Sequence, residues 1–584
     1  MMMKPAEALS LLRRKMLSSN LDGYIQPVHD EYMSEYPPAC NLRLEWLTGF
    51  DGSAGTLLVL ADTAALFVDG RYTLQAARQL DVELFEIFNT ADQTPQQWAE
   101  KNAKNKRIGY DSKLYTQDMF KRMEAHKLTW VAVDNLVDAV WQERPAPPAT
   151  ALAIHEHKYN GKTSTEKRSQ IAHSIMLAGA DAALITAPDS VCWLLNIRGR
   201  DVENTPLVLA PLIINSDGHV ELFVQSARVS AEVAAHLGNQ LAVVEPQTLQ
   251  ARLAALGAEK KRIFVDSKSV PLWHIRQLSA SGAELVYGDD PCQLPKATKN
   301  IVEITGIKNA HLRDGKALIK LLCWLDSEAS KREVSELEVC AQLLIFRKEN
   351  ETFVEPSFNT ISGSGANGAI VHYRATQETN RTLKSGELFL LDSGAQYPDG
   401  TTDITRTIAI SESSAEHKDR FTRVLKGHIA IATAQFPQGT NGSQLDALAR
   451  QYLWQAGLDY DHGTGHGVGC FLGVHEGPQR ISKRAGDAAL MSGMIISNEP
   501  GYYKTGEYGI RIENLVVVCK REGAFLGFET LTCVPIDTRL VDVSMLTLDE
   551  KKWLNDYHAW VFSQQEKGSS DADRTWLEAR CAAI

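Results

Sequence analysis

The stretch LFLLDSGAQYPDGTTDITRTIAI, residues 388–410, decides how the second half of this 584-residue chain folds. Tyr397-Pro398-Asp399-Gly400 is a strong turn signal between two apolar runs, which predicts an antiparallel hairpin. With Tyr397–Gly400 as the loop, Asp403 falls opposite Gly394. Asp392, two residues away on the same face, becomes its diagonal neighbour, with α-carbons roughly 7–8 Å apart. The run Leu388-Phe389-Leu390-Leu391 predicts burial of Asp392. Buried like charges at that range repel strongly unless a proton or a cation lies between them, so the hairpin predicts a metal site.

Two further acids occupy similar settings. Glu499, in GMIISNEPGYY, ends an apolar strand where Pro500 and Gly501 force a turn. Glu513, in YGIRIENLVVV, alternates with Ile510, Ile512 and Leu515, so Arg511 and Glu513 face one way while the isoleucines pack behind. The segment YDHGTGHGVG (460–469) sets His462 and His466 four apart among Gly463, Gly465, Gly467 and Gly469. A helix there would lose about 1 kcal/mol at each glycine relative to alanine, so the segment is a strand or loop. Extended, it directs both imidazoles to one face, and its glycines let the backbone pass close to a substrate. Four acids and an imidazole on apolar strand-like segments are a set that holds two divalent ions and activates a water between them. Oxygen-rich ligation with one imidazole favours manganese, with cobalt or zinc as alternatives.

Other motifs read as structure. GSGANG (363–368) satisfies G-x-G-x-x-G, but the following AIVHYRAT is strand-like where a dinucleotide site needs a phosphate-capping helix. Cys470 is expected as a small buried hydrophobe, and His428, at helical spacing with Val424 and Leu425, as a packed residue.

A net charge of -11 and a pI near 5.9, without a long basic run, argue against nucleic acid or an anionic membrane surface as partner. No apolar run approaches the roughly 20 residues of a membrane span. Nine scattered cysteines without a CxxC pair indicate neither a disulfide framework nor a zinc ribbon. A reducing compartment, the cytoplasm, is expected. The start, KPAEALSLLRRKMLSSNLDGYI, reads as a first helix running into a strand.

Three prolines in ERPAPPAT (143–150) mark a linker, and DDPCQLPKATKN (289–300) marks a second break before a helix carrying Ile304, Ile307, Leu318, Leu321, Leu322 and Leu325. Residues 45–71 and 192–219 share an order of parts: Trp-Leu, a short turn, an apolar strand, then a second strand closing in Asp-Gly. The first two domains are therefore expected to be related α/β domains that shape a site or an interface. After 530, Leu546, Leu548, Trp553, Leu554, Trp560 and Val561 mark a helix that either packs or forms a dimer surface. The expected boundaries are 1–145, 150–295, 300–525 and a C-terminal extension, 526–584.

With these residues in view the chain resembles the pita-bread metallopeptidases, and within them the three-domain, cytosolic type of Xaa-Pro aminopeptidase. The resemblance rests on GFDGSAGT (49–56), DGRYTLQAARQLD (69–81), WLLNIRGRDVENTP (193–206), HYRAT, LLDSGAQYPDGTTDITRT, GTGHGVG, VHEGP, SNEPGYY and GIRIENLV. It implies an α/β (α+β) chain with two related N-terminal creatinase-like domains before a catalytic pita-bread domain. It implies metal ligation by Asp392, Asp403, His466, Glu499 and Glu513, with Asp403 and Glu513 bridging. His372, His462 and His475 then line the substrate pocket, orient the scissile carbonyl and stabilise the tetrahedral intermediate, with Tyr503 and Arg511 beside them. The implied reaction is attack of a metal-bridging hydroxide on the carbonyl before proline, with Glu499 shuttling the proton. A homodimer acting on peptides with penultimate proline is expected. Prolidase, which cleaves Xaa-Pro dipeptides, shares the ligands, but the two N-terminal domains with DGRYTLQAARQ favour the longer-peptide enzyme. A non-catalytic binding module of the same fold would have lost ligands, and all five are present.

Overall fold

The computed structural model describes residues 3–484 and 488–584. The chain divides into two compact units, 1–156 with 162–293, and 157–161 with 294–584. Among the described residues no helix is long and apolar enough to cross a membrane.

The first unit holds two six-stranded sheets of one topology. In the first the order is Glu86–Asn89, Ala64–Val68, Thr56–Leu60, Gly23–Pro27, Arg107–Tyr110, Thr129–Ala132. In the second it is Leu241–Val244, Val220–Phe223, Leu212–Asn215, Ala182–Ile185, Arg262–Val265, Glu284–Tyr287. The strand that comes first in sequence pairs antiparallel on one side and parallel on the other in both sheets, and both outermost pairs are parallel. The repeat inferred from 45–71 and 192–219 is thus present in the topology, but its letters do not align. Leu207–Ala210, expected as a strand, joins no ladder: Pro206 and Pro211 bracket it, and its amides bond Cys192 Sγ (Val208, 3.2 Å) and Asp201 Oδ2 (Leu209, 2.8 Å). Asp217-Gly218 turns the hairpin between Leu212–Asn215 and Val220–Phe223, whereas Asp69-Gly70 follows the equivalent of the latter strand.

The helix Pro5–Ser18 begins with proline at its first turn and buries Leu9, Leu12 and Met16 beside Tyr24, Leu57 and Val59. The two sheets are tied by backbone bonds from Leu272 to Tyr115 (2.7 Å) and from Trp273 to Ser112 (3.0 Å), and Leu272 enters the core around Tyr110 and Phe120. Residues 143–150 carry no helix or strand.

The longest helix of the second unit is Ile301–Glu328. Asn300 caps it, accepting from the amides of Val302 and Glu303 while the Glu303 carboxylate accepts from the Asn300 amide. Ile307, Leu318, Leu321, Leu322 and Leu325 are buried, as their spacing predicts. Three antiparallel strands, Ile361–Ser364, Leu388–Ser393 and Ile404–Ala409, form one sheet. A second sheet runs Gln435–Pro437, Phe525–Thr530, Asn514–Lys520, Ile495–Asn498, Gly465–Gly467, Glu476–Ile481. A hairpin, Gly501–Lys504 with Tyr508–Arg511, stands apart from both. Two helices close the chain, Leu548–Gln565 and Asp571–Arg580, and the first buries Leu554, Tyr557 and Val561 in a core shared with Phe421, Val424, Ile510 and Ile512.

The expected hairpin keeps one register from Leu388↔Ala409 to Tyr397↔Gly400, which sets Gly394 opposite Asp403. At that level the ladder is interrupted: the Thr402 carbonyl accepts from Ser357 Oγ (2.8 Å), and a Cβ on Gly394 would lie 2.0 Å from it. The AIVHYRAT segment is not the expected strand. Gly365–Ala369 is a 3-10 turn and 370–376 is irregular. Buried Glu336 explains this by accepting from Ser364 N (2.7 Å), Asn367 Nδ2 (3.1 Å), Tyr373 Oη (2.9 Å) and Arg381 N (2.9 Å), which leaves the loop no ladder to join.

Candidate metal centre

Four backbone segments meet at one cluster. Asp392 and Asp403 come from the hairpin, His466 from Gly465–Gly467, Glu499 from just beyond Ile495–Asn498, and Glu513 from the residue before Asn514–Lys520. One donor atom each from Asp403, His466 and Glu513 lie within 4.8 Å of one another. His466 Nε2 stands 3.4 Å from Asp403 Oδ2 and 3.4 Å from Glu499 Oε1, while its Nδ1 faces the Gly467 carbonyl at 3.0 Å. That second contact keeps a proton on Nδ1 and aims Nε2 between the carboxylates, so that Nε2 is the atom that would ligate a metal once deprotonated.

The acids are buried: Asp392 is 7% exposed, Asp403 4% and Glu513 1%. Asp392 and Glu513 each have one oxygen satisfied and one not. Asp392 Oδ2 accepts from Arg511 (2.6 Å) and Glu513 Oε2 from the Thr405 hydroxyl (2.7 Å), but Asp392 Oδ1 and Glu513 Oε1 have no hydrogen-bond partner. Buried carboxylate oxygens left without donors, beside an imidazole nitrogen, fit a hard or borderline divalent cation. The electrostatics agree. Burial raises Asp403 to about 6 against the bond from His466, and repulsion from Asp392 and Glu499 adds to it. Burial and the charges of Asp403, Glu499 and Asp392 hold Glu513 well above the carboxylate range. For His466, burial works against protonation, but Asp403 and Glu499 outweigh it and bring the ring to about 9.

A second layer links the pocket residues. Arg511 donates to Tyr503 Oη (2.6 Å) and through Nε to Thr405 Oγ1 (3.1 Å), and Tyr503 Oη lies 2.8 Å from His462 Nε2. His462 Nδ1 faces the Gly463 carbonyl at 2.8 Å, so Nε2 accepts the tyrosine proton. Burial, relieved by Arg511, keeps the Tyr503 hydroxyl up at about 12, so it is a donor at neutral pH. His462 Nδ1 is also 3.9 Å from Glu499 Oε2, so His462 and His466 do reach one carboxylate from two sides. His475 is exposed and packs its ring edge-on against His466, with centroids 4.3 Å apart. Its neighbour Glu476 is buried in ion pairs with Lys296 and Lys299, which anchors that strand. His372, half-buried, is placed by its backbone: the preceding Val371 carbonyl accepts from Arg511 (3.4 Å).

Two of the glycines are required by the strand packing. A Cβ on Gly465 would lie 2.0 Å from the Ser497 carbonyl, and one on Gly467 2.4 Å from the Glu476 carbonyl. Gly465 and Gly467 thus let the neighbouring strands pack against the strand that carries His466. Thr405 and Ser497 were missed by motif reasoning. Ser497 accepts from the His466 amide (2.9 Å) and donates to Glu499 Oε1 (3.0 Å). Each lies two residues along a strand from an acid, so period-two alternation was the available signal. His428 and Cys470 are packed as expected: His428 is 0% exposed and Cys470 3%, in the cluster around Val468 and Ile495.

The class these features define is a metallopeptidase. Residues 305–520 match metallopeptidase family M24 and 524–584 its C-terminal region, while 9–140 and 143–303 each match a creatinase/prolidase N-terminal domain. The chain is 41% identical to aminopeptidase P2 of Arabidopsis thaliana over 98% of this chain and 88% of that protein. It is 37% identical to Xaa-Pro aminopeptidase 1 of Dictyostelium discoideum over 97% and 95% of the two chains. The crystal structure of an X-prolyl aminopeptidase from Caenorhabditis elegans, described as a cytosolic enzyme with a di-nuclear active site, matches all of both chains at 34% identity and a TM-score of 0.95. The prolidase of Pyrococcus horikoshii covers 64% of this chain at 26% identity and a TM-score of 0.51. The chain belongs to the Xaa-Pro aminopeptidase family.

Proposed function

We propose that this chain releases the N-terminal residue from peptides whose second residue is proline, with two divalent ions held by Asp392, Asp403, His466, Glu499 and Glu513. The observation that carries the metal assignment is the pair of orphaned buried oxygens, Asp392 Oδ1 and Glu513 Oε1, beside His466 Nε2. Divalent ions bound there supply Lewis acidity toward water and toward a peptide carbonyl.

The protein groups have separable tasks. Arg511 holds Asp392 by one oxygen and leaves the other for a cation. Glu499, within reach of both His462 and His466, is placed to take a proton from the attacking water and return it to the departing proline nitrogen. Tyr503 fixes the tautomer and ring orientation of His462, which together with His372 and His475 binds and orients the peptide. We assign manganese as the native metal from the oxygen-rich ligand set. Nine free cysteines and the cytosolic relative support a cytoplasmic location, and the family resemblance supports a homodimer. We take the functional divisions as 1–145, 150–295, 300–525 and 526–584. The 41% and 37% identity to proteins named as aminopeptidases over nearly the whole chain, with the full-length match to an X-prolyl aminopeptidase, supports the longer-peptide reaction.

Chelator and thiol reagent test the chemistry together. EDTA is expected to abolish hydrolysis and added manganese to restore it, with iodoacetamide without effect. Inhibition by iodoacetamide with indifference to EDTA would contradict the metal reading.

A further inference from the structure

Behind the carboxylates lies a buried polar network that the chemistry above does not use. Arg406, 3% exposed, sends its hydrogen bonds to neutral acceptors among the described residues. They are the carbonyls of Thr405 (2.9 Å), Glu513 (2.6 Å), Val534 (2.7 Å) and Pro535 (2.9 Å), with Asn514 Oδ1 (2.8 Å) and Tyr557 Oη (3.0 Å). Asn514 Nδ2 donates in turn to His428 Nε2 (3.2 Å), so His428 Nδ1 carries the proton and donates to the Asn498 carbonyl (3.1 Å); Asn498 Nδ2 returns a bond to the His428 carbonyl (2.9 Å). Burial, with Arg406 nearby, lowers His428 to about 3, so the ring is neutral and keeps this one-donor, one-acceptor role. Asn514 follows Glu513 and Asn498 precedes Glu499 in the chain. The network therefore joins the backbones that present two proposed ligands.

The far side of the network is the helix Leu548–Gln565. Tyr557 accepts from Arg406 and donates to the Val534 carbonyl (2.7 Å). Trp553 stacks on Tyr557 at 5.4 Å and meets the His428 ring near edge-on at 5.9 Å. A buried guanidinium that makes no direct ion pair among the described residues is costly to desolvate, even with the Glu513 charge nearby, so geometry is a better account of it than stability. Its planar fork can hold several carbonyls in fixed relation at once, which an ammonium cannot.

We propose that the helix Leu548–Gln565 is a positioning element of the metal centre: Tyr557 and Trp553 brace Arg406 and His428, which set the backbones of Glu513 and Glu499. The proposal rests on the assignment of those two acids as ligands. Partners of metal ligands typically change metal affinity by 10–100-fold when removed.

The test uses the full chain, stripped with chelator, with Mn2+ as the titrant and melting temperature recorded alongside. Tyr557→Phe is expected to weaken binding of the more weakly held ion about tenfold and His428→Gln by 10–100-fold. Val561→Ala, a cavity in the same helix outside the network, is expected to lower the melting temperature while leaving Mn2+ affinity within about twofold. Equal affinities in wild type and Tyr557→Phe, or an equal loss in Val561→Ala, would overturn the proposal; if His428→Gln does not fold, Tyr557→Phe decides. A wild type that binds no divalent ion would remove the metal-centre reading itself. Two ions bound equally by wild type and Tyr557→Phe would remove only the helix's part.

Discussion

His462 and His466 approach Glu499 from two sides, yet their surroundings divide their work. His466 turns Nε2 to a cluster of acids, where it has a lone pair to offer once a metal displaces its proton; His462 has its lone pair occupied by Tyr503. Replacing His466 by alanine is therefore expected to lower metal content measured by elemental analysis. Replacing His462 should leave the metals bound and cut kcat by about 10²-fold or more, and equal metal loss in both would show the division to be wrong. The raised groups make a second expectation. Without metal, His466 at about 9 holds a proton at pH 7, and Glu513 is displaced in the same direction. Metal must displace these protons, so affinity should rise with pH, by up to about tenfold per unit for each proton released. Calorimetric titration in buffers of different ionisation enthalpy measures that release, and a pH-independent affinity from 6 to 8 would contradict it. Of these residues the acids were legible, because burial and alternation follow from local letters. Which oxygens stay unsatisfied was not, since the Arg511–Asp392 and Thr405–Glu513 bonds join residues 119 and 108 apart.

At the scale of elements, the hairpin was readable to its register because Tyr-Pro-Asp-Gly fixes the turn and strand period does the rest. The segment Ala369–Thr376 was not, because Glu336, 28 to 45 residues from the amides it accepts, overrides its β-branched letters. The glycines of 463–469 were recognised as incompatible with a helix, but the reason for them needed neighbours. Gly465→Ala is expected to force the Gly465–Gly467 strand away from Ser497, destabilising the fold by about 1–3 kcal/mol and lowering metal content, since Ser497 also orients Glu499. Thermal melting and metal analysis check both effects, and a variant of wild-type stability would show that the strands relax without cost.

Across the whole molecule, the two N-terminal sheets repeat one strand order whose kinship showed only faintly in the letters. Topology is set by pairings between strands far apart in the chain, while individual side chains have only to be apolar on the right face. That is why the order of parts was legible and the alignment of the Asp-Gly pairs was not. The same scale carries the choice between a dipeptidase and an aminopeptidase, since both chemistries share the metal ligands and differ in what surrounds them. The most direct measurement is hydrolysis of Xaa-Pro-Xaa tripeptides beside Xaa-Pro dipeptides, with manganese restored after EDTA and the products identified. The account predicts release of the first residue from the tripeptides, lost with EDTA and regained with the metal; cleavage of the dipeptides alone would contradict it.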